Sequence, residues 1–243
     1  MSFASLFPVK KPIIGMIHLA GGITKKIGRA LDEIAVYEGE GLDGIIVENY
    51  HGSDLDVENT LKAIRRTGTS LAIGVNILPN NWVHAFDFSH ECGAGFIQVD
   101  YVAGKYTKGS INGELYPLFR KRYSHIVVLG GVHPKYYTPV PGSHLEDDLV
   151  TGKDRADAIV VTGEGTGIET PLSKIREFRS VLGERPLIVG AGLTPETVAE
   201  QLRIADGAIV GSYFKIDNET ENYLDRAKVR RFMDAVRELR ASL

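Results

Sequence analysis

Three side chains able to move protons, His18, Glu48 and Asp100, each stand near the end of a short β-branched run: "PIIGMIHL" (12–19), "GIIVENY" (44–50) and "GFIQVDYV" (95–102). An imidazole and two carboxylates gathered away from bulk water take pKa values set by desolvation and by one another. They could then serve as general acid and base. Asn76, in "SLAIGVNIL" (70–78), adds an amide that can orient a substrate. Lys135 and His133, in "GGVHPKYYTPVPGSH", add groups that could reach an anionic one.

Side chains of a strand alternate between its two faces, so the letters carry parity. Gln98 and Asp100 share one parity while Ile97 and Val99 share the other. In a parallel strand buried on both sides, the polar parity should face the interior of a barrel, because the other side is dry helix packing. The same rule pairs Asn76 with Gly74, Glu48 with Ile46 and His18 with Met16, and two further runs end in Thr162 and Ser212. A ring of six polar residues (His18, Glu48, Asn76, Asp100, Thr162 and Ser212) therefore tops layers of Ile, Val, Met, Gly and Ala. Taken singly, each has a structural alternative, such as a carboxylate capping loop amides or a core imidazole satisfied by a carbonyl. Their coincidence at equivalent positions points to an enzyme mouth.

The mouth requires no cofactor for this chemistry. Asparagine and carboxylate oxygens would suit magnesium or manganese, and one histidine nitrogen would favour zinc or manganese, so a divalent metal stays open. No H-x-H or H-E-x-x-H spacing supports one.

A second set of residues reads as an anion grip. In "IVGAGLTPETVAEQLRIADGAIVGSYFK" (188–215) two apolar runs end in glycine, at Gly190 and Gly192 and again at Gly211 and Ser212. Glycine lets the backbone approach an anion closely. In (β/α)8 barrels the loops after strands seven and eight often hold phosphate on their amides. Gly163 and Gly165, in "TGEGTGIETP", would add amides from strand six. Their G-x-G-x-G spacing is not the dinucleotide fingerprint, and the P-loop lysine is absent. Thr194 fits an N-cap, with Pro195 at the first helical position and Glu196 in the first turn. "IDNETENYLDRA" leaves room for a small helix. The competing reading is that these glycines serve only tight turns.

The elements that must position these groups are eight β-branched runs, adding "HIVVLGGV" (125–132), "AIVVTGEG" (158–165), "PLIVGAGL" (186–193) and "GAIVGSYF" (207–214). Segments of helical period lie between them, as in "VENTLKAIRRTG" and "PLSKIREFRSVLG". The last, "KVRRFMDAVRELRASL", carries Val229, Phe232, Met233, Val236 and Leu239 on one stripe, as a covering helix should. Eight βα units imply a parallel sheet, and closure into a (β/α)8 TIM barrel fits the length better than an open doubly wound sheet. No linker or low-complexity stretch interrupts the series, so residues 1–243 are expected to form one α/β domain.

Composition narrows the function classes. The chain has 243 residues, 43% hydrophobic and 24% charged, with net charge -3, which argues against a general nucleic-acid binder. Its one cysteine, Cys92, allows no intrachain disulfide and reads as a small buried group at a helix end. The opening "MSFASLFPVKK" lacks the order of a secretory signal, and no apolar run approaches the ~20 residues of a membrane helix. A cytoplasmic protein with no membrane insertion is expected, and a homo-oligomer is open.

The segments "KKPIIGMIHLAGG", "ADAIVVTGEGTG", "PLIVGAGLTPETVAEQLRIADGAIVGSYFK" and "KVRRFMDAV" together resemble the BtpA family, named after a protein implicated in photosystem I biogenesis. The resemblance runs from about residue 6 to the C-terminus and is strongest from Ala156 onward. It implies a barrel akin to phosphate-binding barrels such as phosphoribosylanthranilate isomerase and the tryptophan synthase α chain. The chain departs from the family pattern in two places. "LPNNW" stands where the family carries an Arg-Asn-Asp run, and "LGGVHPK" replaces Ala-Asp-Val-x-Val-Lys-His. Lys135 matches the basic position there, while the aspartate is missing. Phosphoribosylanthranilate isomerases use a cysteine at the end of strand one, where this chain has His18. The imidazole-pathway sugar isomerases use aspartates after strands one and five, and neither is present.

Two functions follow as expectations. One is an enzyme acting on a small phosphorylated metabolite, a sugar or nucleotide phosphate. Gly163, Gly165, Gly190, Gly192, Gly211 and Ser212 would hold the phosphate, while Glu48, Asp100 and His18 transfer protons and Asn76 and Lys135 orient the substrate. Isomerisation, aldol-type cleavage and glycosyl hydrolysis are all open. The other is a non-catalytic assembly or biogenesis factor that keeps the barrel as a scaffold.

Overall fold

Eight parallel strands close on themselves in the computed structural model, which describes residues 1–22 and 24–243. They are β1 (Ile13–Ile17), β2 (Gly44–Glu48), β3 (Ala72–Asn76), β4 (Phe96–Val99), β5 (Val127–Gly131), β6 (Ala158–Val161), β7 (Leu187–Val189) and β8 (Gly207–Val210). Each pairs with its neighbours in sequence, and β8 returns to β1, matching Ile13 to Ala208 and Gly15 to Val210. The expected (β/α)8 barrel is the fold of this chain.

Parity along the strands sorts the core into two layers. Ile14, Met16, Ile46, Phe96, Val127, Leu129, Ala158, Val160, Ile188 and Ile209 fill the barrel. The alternate residues, among them Ile13, Ile45, Val47, Val75, Ile97, Val128 and Ile159, pack outward on the helices. Gly74 makes this filling possible, because a Cβ there would come within 2.3 Å of the Phe96 ring.

A short N-terminal helix, α1 (Phe3–Leu6), closes the bottom of the barrel. Ser2 and Ser5 form a reciprocal capping box on it. It leads Phe3 and Phe7 into the barrel core, with the Phe7 ring 5.6 Å from that of Phe96. The sequence reading assigned no structural role to this segment. The periodic signal is one turn long and becomes meaningful only against the barrel floor.

The outer layer is α2 (Lys26–Glu40), α3 (Asp54–Thr67), α4 (Trp82–Cys92), α5 (Leu115–Arg122), α6 (Leu145–Arg155), α7 (Leu172–Leu182), α8 (Val198–Ile204) and α9 (Arg226–Ala241). The expected stripe of α9, Val229 to Leu239, is buried, and each such side chain contributes about 1.5–3 kcal/mol on burial. Cys92 is buried at the end of α4, and burial raises its thiol pKa. No helix among the described residues is long and apolar enough to cross a membrane.

Three local readings change. The helix after β7 starts at Val198 and is not capped by Thr194. The Thr197 hydroxyl accepts from the Thr194 amide at 3.1 Å, and the intervening residues form a turn. After β8 the chain makes two 3₁₀ turns, Ser212–Phe214 and Ile216–Asn218, in place of a small helix. Strands β4, β6 and β8 stop one or two residues early, so Asp100, Thr162 and Ser212 stand in the loops just beyond the ladder.

Candidate active site

The strand ends surround a cavity of about 430 Å³. Its acidic wall comes from β2, β3 and β4. Glu48 and Asn76 end neighbouring strands in matched register, and Asn76 Nδ2 donates to Glu48 Oε1 at 2.7 Å and, at 3.5 Å, to Asp100 Oδ1. The Asp100 carboxylate also accepts from the Asn80 amide at 3.1 Å and the Tyr137 hydroxyl at 2.6 Å. Thus the "LPNNW" loop, where the chain departs from the family pattern, holds Asp100. Burial first, and then the Asp100 charge, push the Glu48 pKa up to about 7. Burial also raises Asp100, against the pull of its hydrogen bonds from Tyr137 and Asn80. Neither carboxylate has a lysine or arginine within ion-pair distance among the described residues.

His18 continues from β1 into the same cavity and is 4% exposed. Burial, followed by the charge of Lys215, holds its pKa well below the usual range. The ring is therefore neutral at physiological pH. It can accept a proton or hydrogen bond, and cannot act there as a standing imidazolium acid. Its Nδ1 is buried with no partner among the described residues, as is Oε1 of cavity-lining Gln98. Both atoms face a requirement that a ligand or water would meet.

The loop after β5 separates two residues that the sequence reading paired. His133 turns away from the cavity, its Nε2 2.7 Å from Asp148 Oδ2, so it is a loop fastener and not a substrate contact. Lys135 turns inward. Its amide donates to Thr162 Oγ1 and its Nζ to Thr166 Oγ1, both at 3.0 Å. Burial lowers its pKa, while Tyr136, Glu48 and Asp100 pull the other way. Thr162 is thereby occupied as a loop anchor.

The opposite wall is the glycine-rich one. Gly190, Gly192, Gly211 and Ser212 line the cavity, together with Thr166 and Gly167 from the β6 loop. Among the described residues, the amides of Gly192, Ser212 and Tyr213 donate to no protein acceptor, whereas that of Gly190 is used by Val161 O at 2.8 Å. Gly163 and Gly165 lie outside the cavity lining. The loop folds back on itself, and a Cβ on Gly163 would come 2.7 Å from the Ile168 carbonyl. Close packing also explains two lining glycines. Gly192 sits at φ +69° against the Glu169 backbone, and a Cβ on Gly211 would meet the His18 ring at 2.9 Å.

Behind this wall lies a group that the sequence reading did not single out. Lys215, 1% exposed, donates to Glu33 Oε1 at 2.6 Å, and Arg29 Nε donates to the same oxygen at 3.0 Å. Two buried cations share one carboxylate next to the free amides. The Arg29/Glu33 spacing on the inner face of α2 was the available signal. Lys215, after the last strand, reads by itself as a surface lysine. No group of three or more His, Cys, Asp or Glu side chains among the described residues is arranged to hold a metal ion.

The BtpA family model matches residues 9–238. This chain belongs to the BtpA family. An uncharacterized protein of Thermococcus kodakarensis is 31% identical to it, over 96% of this chain and 98% of the relative. The photosystem I biogenesis protein BtpA of Synechocystis is 26% identical, over 98% of this chain and 92% of the relative. Among solved structures, phosphoribosyl anthranilate isomerase from Thermus thermophilus superposes with a TM-score of 0.65 at 14% identity, covering 94% of this chain and 99% of the other. Thiamine phosphate pyrophosphorylase from Pyrococcus furiosus gives 0.66 at 12% identity, covering 97% and 98%. These likenesses show the barrel fold.

Proposed function

We propose that this chain is an enzyme that binds a small phosphorylated metabolite and moves protons on it with Glu48 and Asp100. One observation carries the reading: a buried carboxyl with a pKa near 7 faces the same cavity as three amides that have no acceptor among the described residues. The amides of Gly192, Ser212 and Tyr213 would take the phosphate, backed by the excess positive charge of Arg29 and Lys215. Glu48, near half-protonated at neutral pH, would give or take the proton, and positioned groups of this kind contribute ~10²–10⁴-fold each. Asp100 would be its partner, Asn76 would hold the two carboxyls in register, and neutral His18 would accept a hydrogen bond from the substrate.

The arrangement favours one kind of chemistry. Glu48 and Asp100 share the amide of Asn76, which gathers the two carboxyls on one wall of the cavity. Neighbouring carboxyls suit proton transfer between adjacent atoms of one substrate, as in isomerisation or aldol-type cleavage.

The likeness to the photosystem I biogenesis protein favours a second reading, an assembly factor built on the barrel. A scaffold has no use for buried carboxyls lacking a cation. A thermal-shift screen of phosphorylated sugars and nucleotides separates the two. A stabilising compound should lose its effect with Ser212→Asp, which puts a negative charge among the free amides, and should still bind Asp100→Asn without being turned over. If no phosphate compound stabilises the unmodified chain, the enzyme reading fails.

A further inference from the structure

Lys135 is placed with more constraint than an orienting cation needs. Two non-glycine residues in left-handed backbone geometry bracket it, His133 at φ 45° and Tyr136 at φ 69°. Such residues are strained and persist only where the surroundings enforce them. Here the enforcement is visible. His133 is fastened to Asp148, and the Tyr136 hydroxyl donates to Thr166 Oγ1 at 3.1 Å and accepts from the Thr166 amide at 2.9 Å. The bracketed residue is thus aimed into the cavity.

Its amine also lacks the carboxylate partner that some other inward-lying lysines have. Lys215 pairs with Glu33 and Lys26 with Asp56. Lys135 Nζ has no carboxylate within ion-pair distance among the described residues, and its hydrogen-bond partner is the neutral hydroxyl of Thr166. Lys108, the other lysine lining the cavity, is exposed and stands over the Tyr137 ring. A desolvated lysine beside a neutral acceptor is the form in which lysine acts as a nucleophile.

We infer that Lys135 forms an imine with the carbonyl carbon of a phosphorylated aldehyde or ketone bound in this cavity. The inference rests on the phosphate reading above and narrows it to carbonyl phosphates. The unprotonated Nζ attacks the carbonyl carbon, forming the C–N bond as the carbonyl oxygen takes a proton from the Glu48 carboxylic acid. The nitrogen of this adduct carries two protons and gives one to the Glu48 carboxylate, leaving a neutral carbinolamine. Glu48 passes that proton to the hydroxyl, which leaves as water while the nitrogen lone pair forms the protonated C=N bond, with no net oxidation or reduction. This protonated imine accepts the electron pair left when a neighbouring C–H or C–C bond breaks, and Asp100, at the end of the neighbouring strand, takes the proton released. Water returns the amine at the end of the cycle.

The test uses the full chain with dihydroxyacetone phosphate and, separately, glyceraldehyde 3-phosphate, each trapped by cyanoborohydride and located by peptide mass mapping. Inorganic phosphate in a thermal-shift assay runs alongside, and non-phosphorylated glycolaldehyde serves as a further trapping probe. Lys135 should carry most of the label. Lys135→Arg, which keeps the charge and the donors, should fold, remain stabilised by phosphate and lose that label. Phosphate stabilisation with no label on Lys135, or with label spread evenly over surface lysines, overturns the imine and leaves the phosphate reading standing. Equal loss of label and phosphate stabilisation in Lys135→Arg would make the residue an anion anchor and also overturns it. Should phosphate fail to stabilise the chain, the phosphate reading falls. Labelling of Lys135 by glycolaldehyde then decides the amine's reactivity alone, and its absence ends the inference.

Discussion

Glu40 and Glu48 stand on either side of the same strand, at opposite faces of the barrel. Glu40, at the end of α2, is clamped by Arg226 at 2.5 Å and Arg230 at 3.0 Å, and these bonds hold its pKa down to about 2. Glu48, at the far end of β2, has an amide for a partner and a second carboxylate nearby, and its pKa rises to about 7. The pattern extends beyond this pair. Below the barrel, Asp157 joins Arg120 to the Val128 amide, Asp206 joins Arg179 to the Leu187 amide, and Asp43 joins Arg240 to the Ile13 amide. Every one of these carboxylates ties a strand start to a helix. In the cavity itself, Glu48 and Asp100 are buried or nearly so, and neither has a lysine or arginine within ion-pair distance among the described residues. Carboxylates on the lower face hold the barrel together, and those at the mouth are kept ready to change charge.

The largest expected effect tests that division. On a phosphate compound that is turned over, Glu48→Gln should lower the rate by ~10²–10⁴-fold, while Asp157→Asn should leave it within the scatter of the assay. A comparable loss from both variants would erase the distinction between the faces.

Next comes the pH dependence of stability. The folded pKa of Glu48, about 7, lies above its ordinary 4.5. Its contribution is therefore fully present below pH 4.5 and is lost as pH rises through 7. Glu48→Gln does not titrate, so it should gain on the natural chain between those limits, by roughly 3 kcal/mol at pH 8. Denaturant midpoints at pH 4 and pH 8 would show it, and a difference that does not change with pH would contradict it. The smaller effect belongs to Asp157→Asn, which weakens an ion pair and one amide bond. A loss of about 1–2 kcal/mol is expected, read as a melting point lowered by a few degrees.

Much of this arrangement was legible from local pattern. Strand parity alone put Glu48, Asn76, Gln98 and Asp100 on the inward side, because a parallel barrel strand has one dry face. The strand count carried the fold. What was hidden depended on contacts between segments distant in sequence. His133 looked like a substrate contact until Asp148, fifteen residues on, claimed it. Gly163 looked like a phosphate ligand, yet its lack of a side chain answers to the carbonyls of Ile168 and Glu169. Lys215 reaches Glu33 across 182 positions, a pairing that no window of sequence contains.

The central claim is that Glu48 titrates near neutrality while Glu40 does not. Carbon-13 NMR of the glutamate side-chain carboxyls, with Glu48→Gln and Glu40→Gln to assign the two signals, measures it directly. The expected result is a Glu48 midpoint near 7, with Glu40 ionised until pH falls to about 2. A Glu48 midpoint near its ordinary 4.5 would contradict it.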